Sequence, residues 1–235
     1  MDPIPDEGRP PRHLLGLRQA AVNALCATRL GRRAFLGRYR YAFTPQQLWA
    51  ICEAATESRS IDGAFAEIGV AIGDTTLYLH RHLATLGPLP DYVCLDTFSG
   101  FTDADIAEER RRGKTEDYDS WFRLTSRQLF EQAMTVNGLD GTVTTIEADA
   151  AAFDYSRMPA LSFALVDVDL YRPMRSALEG CWSRLLPGGI LIADDCQPVE
   201  QIWDGARQAY SEFCDANALP IDVRHEKLGF ARKDV

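Results

Sequence analysis

The stretch "LSFALVDVDLYRP" (residues 161–173) is followed about twenty residues later by "PGGILIADDCQP" (187–198). Each is an apolar run ending in paired acids, Asp167 with Asp169 and Asp194 with Asp195. Nearly continuous apolar runs of this length read as strands buried on both faces, as in a parallel sheet covered by helices. Unpaired carboxylates are expensive to bury at the exits of two such strands. A positive partner is expected there.

Outward from these runs, strand and helix patterns alternate from residue 64 onward. "AFAEIGV" (64–70) precedes the helical "DTTLYLHRHLATLG", "DYVCLD" (91–96) leads through a polar stretch to "SRQLFEQAMTVNGL", and "GTVTTIEA" (141–148) ends in a short connector. "LSFALVDV" then precedes the helical "RPMRSALEGCWSRLLPGG", and "GILIADD" precedes "EQIWDGARQAYSEFCDANAL". This alternation predicts a doubly wound α/β fold. "PIDVRHE" and "KLGFARK" add two strands joined by a tight turn, giving a mostly parallel seven-stranded, Rossmann-like sheet that ends in an antiparallel hairpin. A dinucleotide-binding dehydrogenase would repeat its βαβ half instead, so the ending favours a methyltransferase-like sheet.

Residues 1–60 read as an N-terminal helical extension and 61–235 as the main domain, with a polar, lid-like insertion around 100–120. The Pro- and charge-rich first 12 or so residues are expected to be disordered. "HLLGLRQAAVNALCATRL" and "TPQQLWAICEAATES" follow with helical spacing, and Thr44 before Pro45 suits a cap and a first-turn proline.

The net charge of -9 argues against a nucleic-acid partner, because neutralising phosphates takes an excess of Lys and Arg. No apolar window reaches the ~20 residues of a membrane span, and the charged N-terminus lacks a signal peptide's apolar run. The six cysteines are scattered, without CxxC or Cys/His clusters, as expected of reduced thiols in a cytoplasmic protein. A small-molecule ligand is the expected partner. The early helices offer a surface for a homo-oligomer, dimer or higher.

"EIGVAIGDTT" (67–76) puts Gly69, Gly73 and Thr75 at the turn into a helix, where backbone amides meet a polar ligand. The GxxxG spacing is weak alone, but Glu67 beside the first glycine suits a cationic ligand group. Asp96 ends the second strand, where a ribose diol would be held. Asp149 in "EADAAAF" either receives an adenine amine or caps the next segment. Ribose, adenine and a cationic sulfonium and amine together describe S-adenosylmethionine. A carboxylate at Glu67 would repel the pyrophosphate of NAD.

Asp167, Asp194 and Asp195 fall at the carboxyl ends of adjacent strands, close enough to converge on one hard cation. Mg²⁺ suits this oxygen-only set. Beside a methyl donor such an ion would activate an acceptor hydroxyl, with Asp167 also preferred as the base. Asp169 would point to the opposite face if the strand continues and ranks lower. His80, His82 and His225 have no metal-ligand spacing, and no GxSxG is present.

"EIGVAIGDTT", "LDTFSGF", "DVDLYRP" and "GGILIADDCQP" together resemble the macrocin O-methyltransferase family, from about residue 62 to the end. The resemblance implies a class I methyltransferase fold, S-adenosylmethionine and Mg²⁺ as cofactors, and a hydroxyl of a sugar or glycosylated natural product as acceptor. It carries the metal role onto Asp167, Asp194 and Asp195, the base onto Asp167, and cofactor binding onto Glu67, Gly69 and Asp96. It also implies that residues 101–121 help close over the substrate. The chain departs from the family pattern at Val168, Arg172 and Pro173, and at Ala71, Ile72 and Asp74 of the glycine turn. A nucleotide-dependent oxidoreductase and a non-catalytic S-adenosylmethionine-binding protein are the competing readings.

Overall fold

A computed structural model describes residues 12–29, 39, 41–199 and 202–234, with the side chains of 12–19 excepted. The expectation of disorder over the first 12 residues falls almost wholly outside that range. The chain divides into two units, 1–40 and 41–235. The first contains helix α1 (Arg12–Ala27).

The second unit opens with α2 (Pro45–Ser58). Thr44 caps it through the amide of Gln47, Gln47 returns the bond to the Thr44 amide, and Pro45 fills the first turn. Its buried Leu48, Ile51 and Ala55 belong to the core over the sheet, so α2 falls in this unit although the sequence pattern groups it with the extension.

The elements that follow are β1 (Ala64–Ile68), α3 (Asp74–Ala84), β2 (Tyr92–Asp96), α4 (Asp103–Arg111), α5 (Arg127–Val136) and β3 (Thr144–Glu147). β4 (Leu161–Val166), α6 (Tyr171–Arg184), β5 (Leu185–Ala193), α7 (Asp204–Ala216), β6 (Asp222–Arg224) and β7 (Leu228–Arg232) complete it. One seven-stranded sheet has the order β3-β2-β1-β4-β5-β7-β6. The first five strands in this order are parallel, and β7 and β6 are antiparallel. The doubly wound sheet and hairpin ending are as the strand pattern predicts. Leu185–Gly189 is strand and not the helix end that its apolar spacing suggests.

Alternating strand residues face opposite layers. Ala66, Ile68, Ala164 and Val166 pack toward α6 and α7, whereas Phe65, Phe163, Leu165 and Ile192 pack toward α2, α3 and α5. Both faces of the central strands β1, β2, β4 and β5 are covered, so these strands are mostly apolar and their acids gather toward the carboxyl ends.

Candidate active site

The strand order reverses between β1 and β4, which opens a crevice at their carboxyl ends. Backbone bonds continue past the strands there. The Gly69 amide donates to Leu95, Asp167 to Ile68 and Asp194 to Val166, at 2.8, 2.8 and 2.9 Å. These bonds fix both acids one residue beyond their strands. Gly69 has φ +85°, and a Cβ there would lie 1.9 Å from the Asp167 carbonyl oxygen. The glycine turn and the acidic end therefore touch through a position that only glycine fits.

Asp167, Asp194 and Asp195 bring carboxylate oxygens within 4.8 Å of one another. Asp194 and Asp195 are 2% and 5% exposed. Burial and then Asp195 raise the Asp194 carboxyl to about 6, against the pull of Lys227. Burial, then Asp194, Asp169 and Asp195, push Asp167 well above the usual carboxylate range.

Asp169 does not point away. β4 stops at Val166, and Asp169 takes φ +60°. That turn brings its carboxyl to the Asp195 carboxyl, and burial together with Asp195 and Asp194 raises its pKa strongly. The expectation of an opposite face assumed two more residues of strand. Asp169 thus adds a fourth interacting charge beside the three carboxylates whose oxygens lie within 4.8 Å of one another.

The positive partner is Lys227. Its ammonium lies 2.6 Å from Asp194 Oδ2 and 3.3 Å from Asp195 Oδ1, and 4.7 Å from the centre of the Phe43 ring. Burial alone would lower its pKa, but Asp194, Asp195 and Asp167 raise it further, so it stays charged. The β6–β7 turn delivers it: His225 and Glu226 both have positive φ, and Gln47 Nε2 donates to the His225 carbonyl at 2.9 Å. Asp194 Oδ1 remains buried without a hydrogen-bond partner. An all-oxygen cluster with one buried, unpartnered oxygen fits a hard divalent ion.

At the glycine end Glu67, Asp96 and Asp149 are already bonded. Glu67 is 1% exposed and accepts the hydroxyls of Thr76 (2.8 Å) and Tyr92 (2.9 Å). Burial still raises it to about 7. Asp96 Oδ2 accepts the amides of Val70 (2.8 Å) and Ala71 (2.9 Å), and Oδ1 accepts that of Phe98 (2.7 Å), so it anchors the glycine turn from the next strand. Gly73, at φ +88°, starts α3, with half-buried Thr75 in its first turn. Asp149 Oδ1 caps the Ala151 amide (2.8 Å), the second of the roles its position allows, and Oδ2 pairs with Arg172 (3.1 Å).

Comparison with known proteins identifies the family. A model described as methyltransferase domain matches residues 66–196, which carry the glycine turn, Asp96, Asp149 and all four clustered acids.

The chain belongs to this methyltransferase domain family.

Solved structures with the same fold include the O-methyltransferase NovP (TM-score 0.63, 15% identity, 81% of this chain and 80% of that one). The calicheamicin methyltransferase CalS11 gives 0.58 and 16% over 99% of each chain. The O-methyltransferase TomG from Streptomyces achromogenes gives 0.52 and 13% over 83% and 82%. No curated protein matches the chain by sequence.

The polar insertion of the methyltransferase domain is folded and pinned. Thr102 caps α4 through Asp105, whose Oδ1 accepts from Arg172 at 2.7 Å. Glu109 Oε1 caps α6 by accepting the Tyr171 amide at 2.8 Å. Lys114 pairs with Asp204 at 2.7 Å, and the Tyr118 hydroxyl donates to the Ile202 carbonyl at 2.9 Å. Phe101, Tyr118, Trp121, Phe122 and Trp203 form an aromatic cluster with centroids 5.3 to 6.3 Å apart. Leu170, the residue after Asp169, lies in the small core beneath it.

Sequence reasoning did not find Lys227, Glu109 or the Thr76–Tyr92 pair under Glu67. The need for a cation among the acids was the signal for Lys227, and the three-residue turn between β6 and β7 was its address. Of the histidines, buried His80 bonds the Thr76 carbonyl at 2.9 Å, and burial lowers its pKa. His82 bonds Thr56 at 2.8 Å. Five of the six cysteines are buried, and none is in a disulfide. No described helix is long and apolar enough to cross a membrane.

Proposed function

We propose that this domain is an S-adenosylmethionine-dependent, Mg²⁺-assisted O-methyltransferase acting on a hydroxyl of a sugar or glycosylated natural product. The observation that carries the reading is the convergence of Asp167, Asp194 and Asp195 beside the glycine turn, with Asp194 Oδ1 buried and unpaired. When bound, the cofactor would supply a methyl group on a sulfonium and the ion a Lewis acid for the acceptor hydroxyl.

Asp167, Asp194 and Asp195 would hold the ion. Glu67, Gly69, Gly73, Thr75, Asp96 and Asp149 line the cofactor side, where Glu67 and Asp96 already fix the turn. The proton of the acceptor hydroxyl goes to a carboxylate oxygen of the cluster, with Asp167 the first candidate to take it. Asp169 is the alternative, because it lies outside the three residues that would hold the ion and a carboxylate spent on an ion has less basicity left. The insertion and its aromatic cluster exclude water from the crevice.

The sugar acceptor draws support from the neighbours. CalS11 is described as a TDP-rhamnose 3'-O-methyltransferase of calicheamicin biosynthesis, at TM-score 0.56 over 95% of this chain. TomG was solved in complex with SAM. The methyltransferase family removes the ground for the oxidoreductase reading.

The test is methyl transfer from labelled S-adenosylmethionine to a panel of nucleotide sugars and glycosylated acceptors. Asp194→Asn with Asp195→Asn should abolish turnover while calorimetry still detects cofactor binding. Full activity of the double variant, or of wild type in EDTA, sinks the metal role.

A further inference from the structure

The four clustered carboxylates and Lys227 pose a charge problem with two solutions. Lys227 takes Oδ2 of Asp194 and reaches Asp195, while Oδ1 of the same Asp194 stays buried without a partner. One carboxylate is thus held on one side by a protein cation and left open on the other. Among the described residues, Lys227 is the cation in ion-pair contact with these acids. Its place is built and not incidental: the side chain is 18% exposed, its ammonium lies over the Phe43 ring, and the Gln47 bond fixes the turn that carries it.

We propose that Lys227 is a built-in counter-cation and positioning residue, which stabilises the acidic centre when no divalent ion is bound and opposes the ion when one arrives. The inference rests on the proposed metal role of Asp167, Asp194 and Asp195. Two cations acting on one carboxylate pair each neutralise charge that the other would otherwise attract, so their effects are reciprocally coupled. The ammonium keeps the ion-free protein folded and sets the divalent affinity lower than the acids alone would give. It also fixes which oxygen of Asp194 faces the open position.

The test compares wild type, Lys227→Met and Lys227→Arg, with Asp194→Asn as control. Mn²⁺ binding is read by electron paramagnetic resonance, and thermal midpoints are read in EDTA and in saturating MgCl₂. K227M should bind Mn²⁺ at least ten-fold more tightly than wild type. It should melt several degrees lower in EDTA and gain more from MgCl₂, and K227R should behave as wild type. Should K227M fold only when MgCl₂ is present, that rescue is the same result in a stronger form. Equal or weaker Mn²⁺ binding by K227M, an unchanged midpoint in EDTA, or failure to fold even in MgCl₂ overturns the proposal. If wild type and K227M bind no Mn²⁺ that D194N loses, the metal reading itself fails, a result distinct from the others.

Discussion

The two halves of the crevice solve the same electrostatic problem in opposite ways. Around β1 and β2, Glu67 and Asp96 bond to hydroxyls and backbone amides of their own turn. Around β4 and β5, Asp167, Asp169, Asp194 and Asp195 crowd one another against the Lys227 ammonium. A carboxylate fed by donors shapes a loop and is spent in doing so. Carboxylates facing carboxylates keep unused lone pairs and favour whatever cation can enter. The difference separates a turn whose acids are already satisfied from a cluster held in tension, although both lie at the same edge of one sheet.

The sharpest way to break this division is at its seam. Gly69→Ala would force a Cβ to 1.9 Å from the Asp167 carbonyl oxygen at φ +85°. Combined overpacking and backbone strain should cost about 4 kcal/mol, read by urea unfolding. A loss under about 1 kcal/mol would mean that the two halves do not meet there.

A smaller effect isolates the satisfied side. Burial raises the Glu67 carboxyl from 4.5 to about 7 despite its two hydroxyl partners. A carboxyl raised by folding binds its proton more tightly in the native state, so its contribution is complete below the unfolded value and lost as pH rises toward the folded one. Between about pH 4.5 and 7, wild type should therefore lose roughly 2–3 kcal/mol relative to Glu67→Gln, with the carboxylates common to both cancelling in the difference. Parallel stability–pH curves for the two proteins would show that Glu67 folds already ionised.

The smallest effect concerns the strap across both halves. Arg172 joins Asp149, after β3, to Asp105 of the insertion, and its side chain is 32% exposed. Arg172→Met should cost about 1 kcal/mol and speed tryptic cleavage within the Arg110–Lys114 stretch a few-fold. Unchanged cleavage would leave the insertion anchored by Glu109, Lys114 and Tyr118 alone.

The fold was legible because burial on both faces leaves its mark on every strand. Apolar runs cannot be disguised, and turns after them need glycine or acid. Asp167, Asp194 and Asp195 were legible for the same reason, standing one or two residues beyond an apolar run. The direction of Asp169 was not legible because strand length is not written in hydrophobicity: β4 ends at Val166 while Val168 still looks like strand, although its lower rank as a ligand agrees with its place outside the converging trio. Leu185–Gly189 was misread in the other direction, as a helix end. Lys227 escaped because its contact with Asp194 spans 33 positions and depends on a turn geometry, not on a spacing. Glu109 caps a helix 62 positions away, and no local pattern announces such a bond.

The bond from Gln47 to the His225 carbonyl closes a loop of 178 positions. During synthesis the acids emerge well before the lysine that offsets them, and the helix that grips the final turn emerges before both. At the usual pace of translation, about 5–20 residues per second, the growing chain passes through an interval in which its acidic centre has no ammonium of its own. The β6–β7 hairpin thus brings to the acids a cation that the strands carrying them do not supply. Any fragment that stops short of it should depend on ions from the surrounding solution to keep those strand ends together.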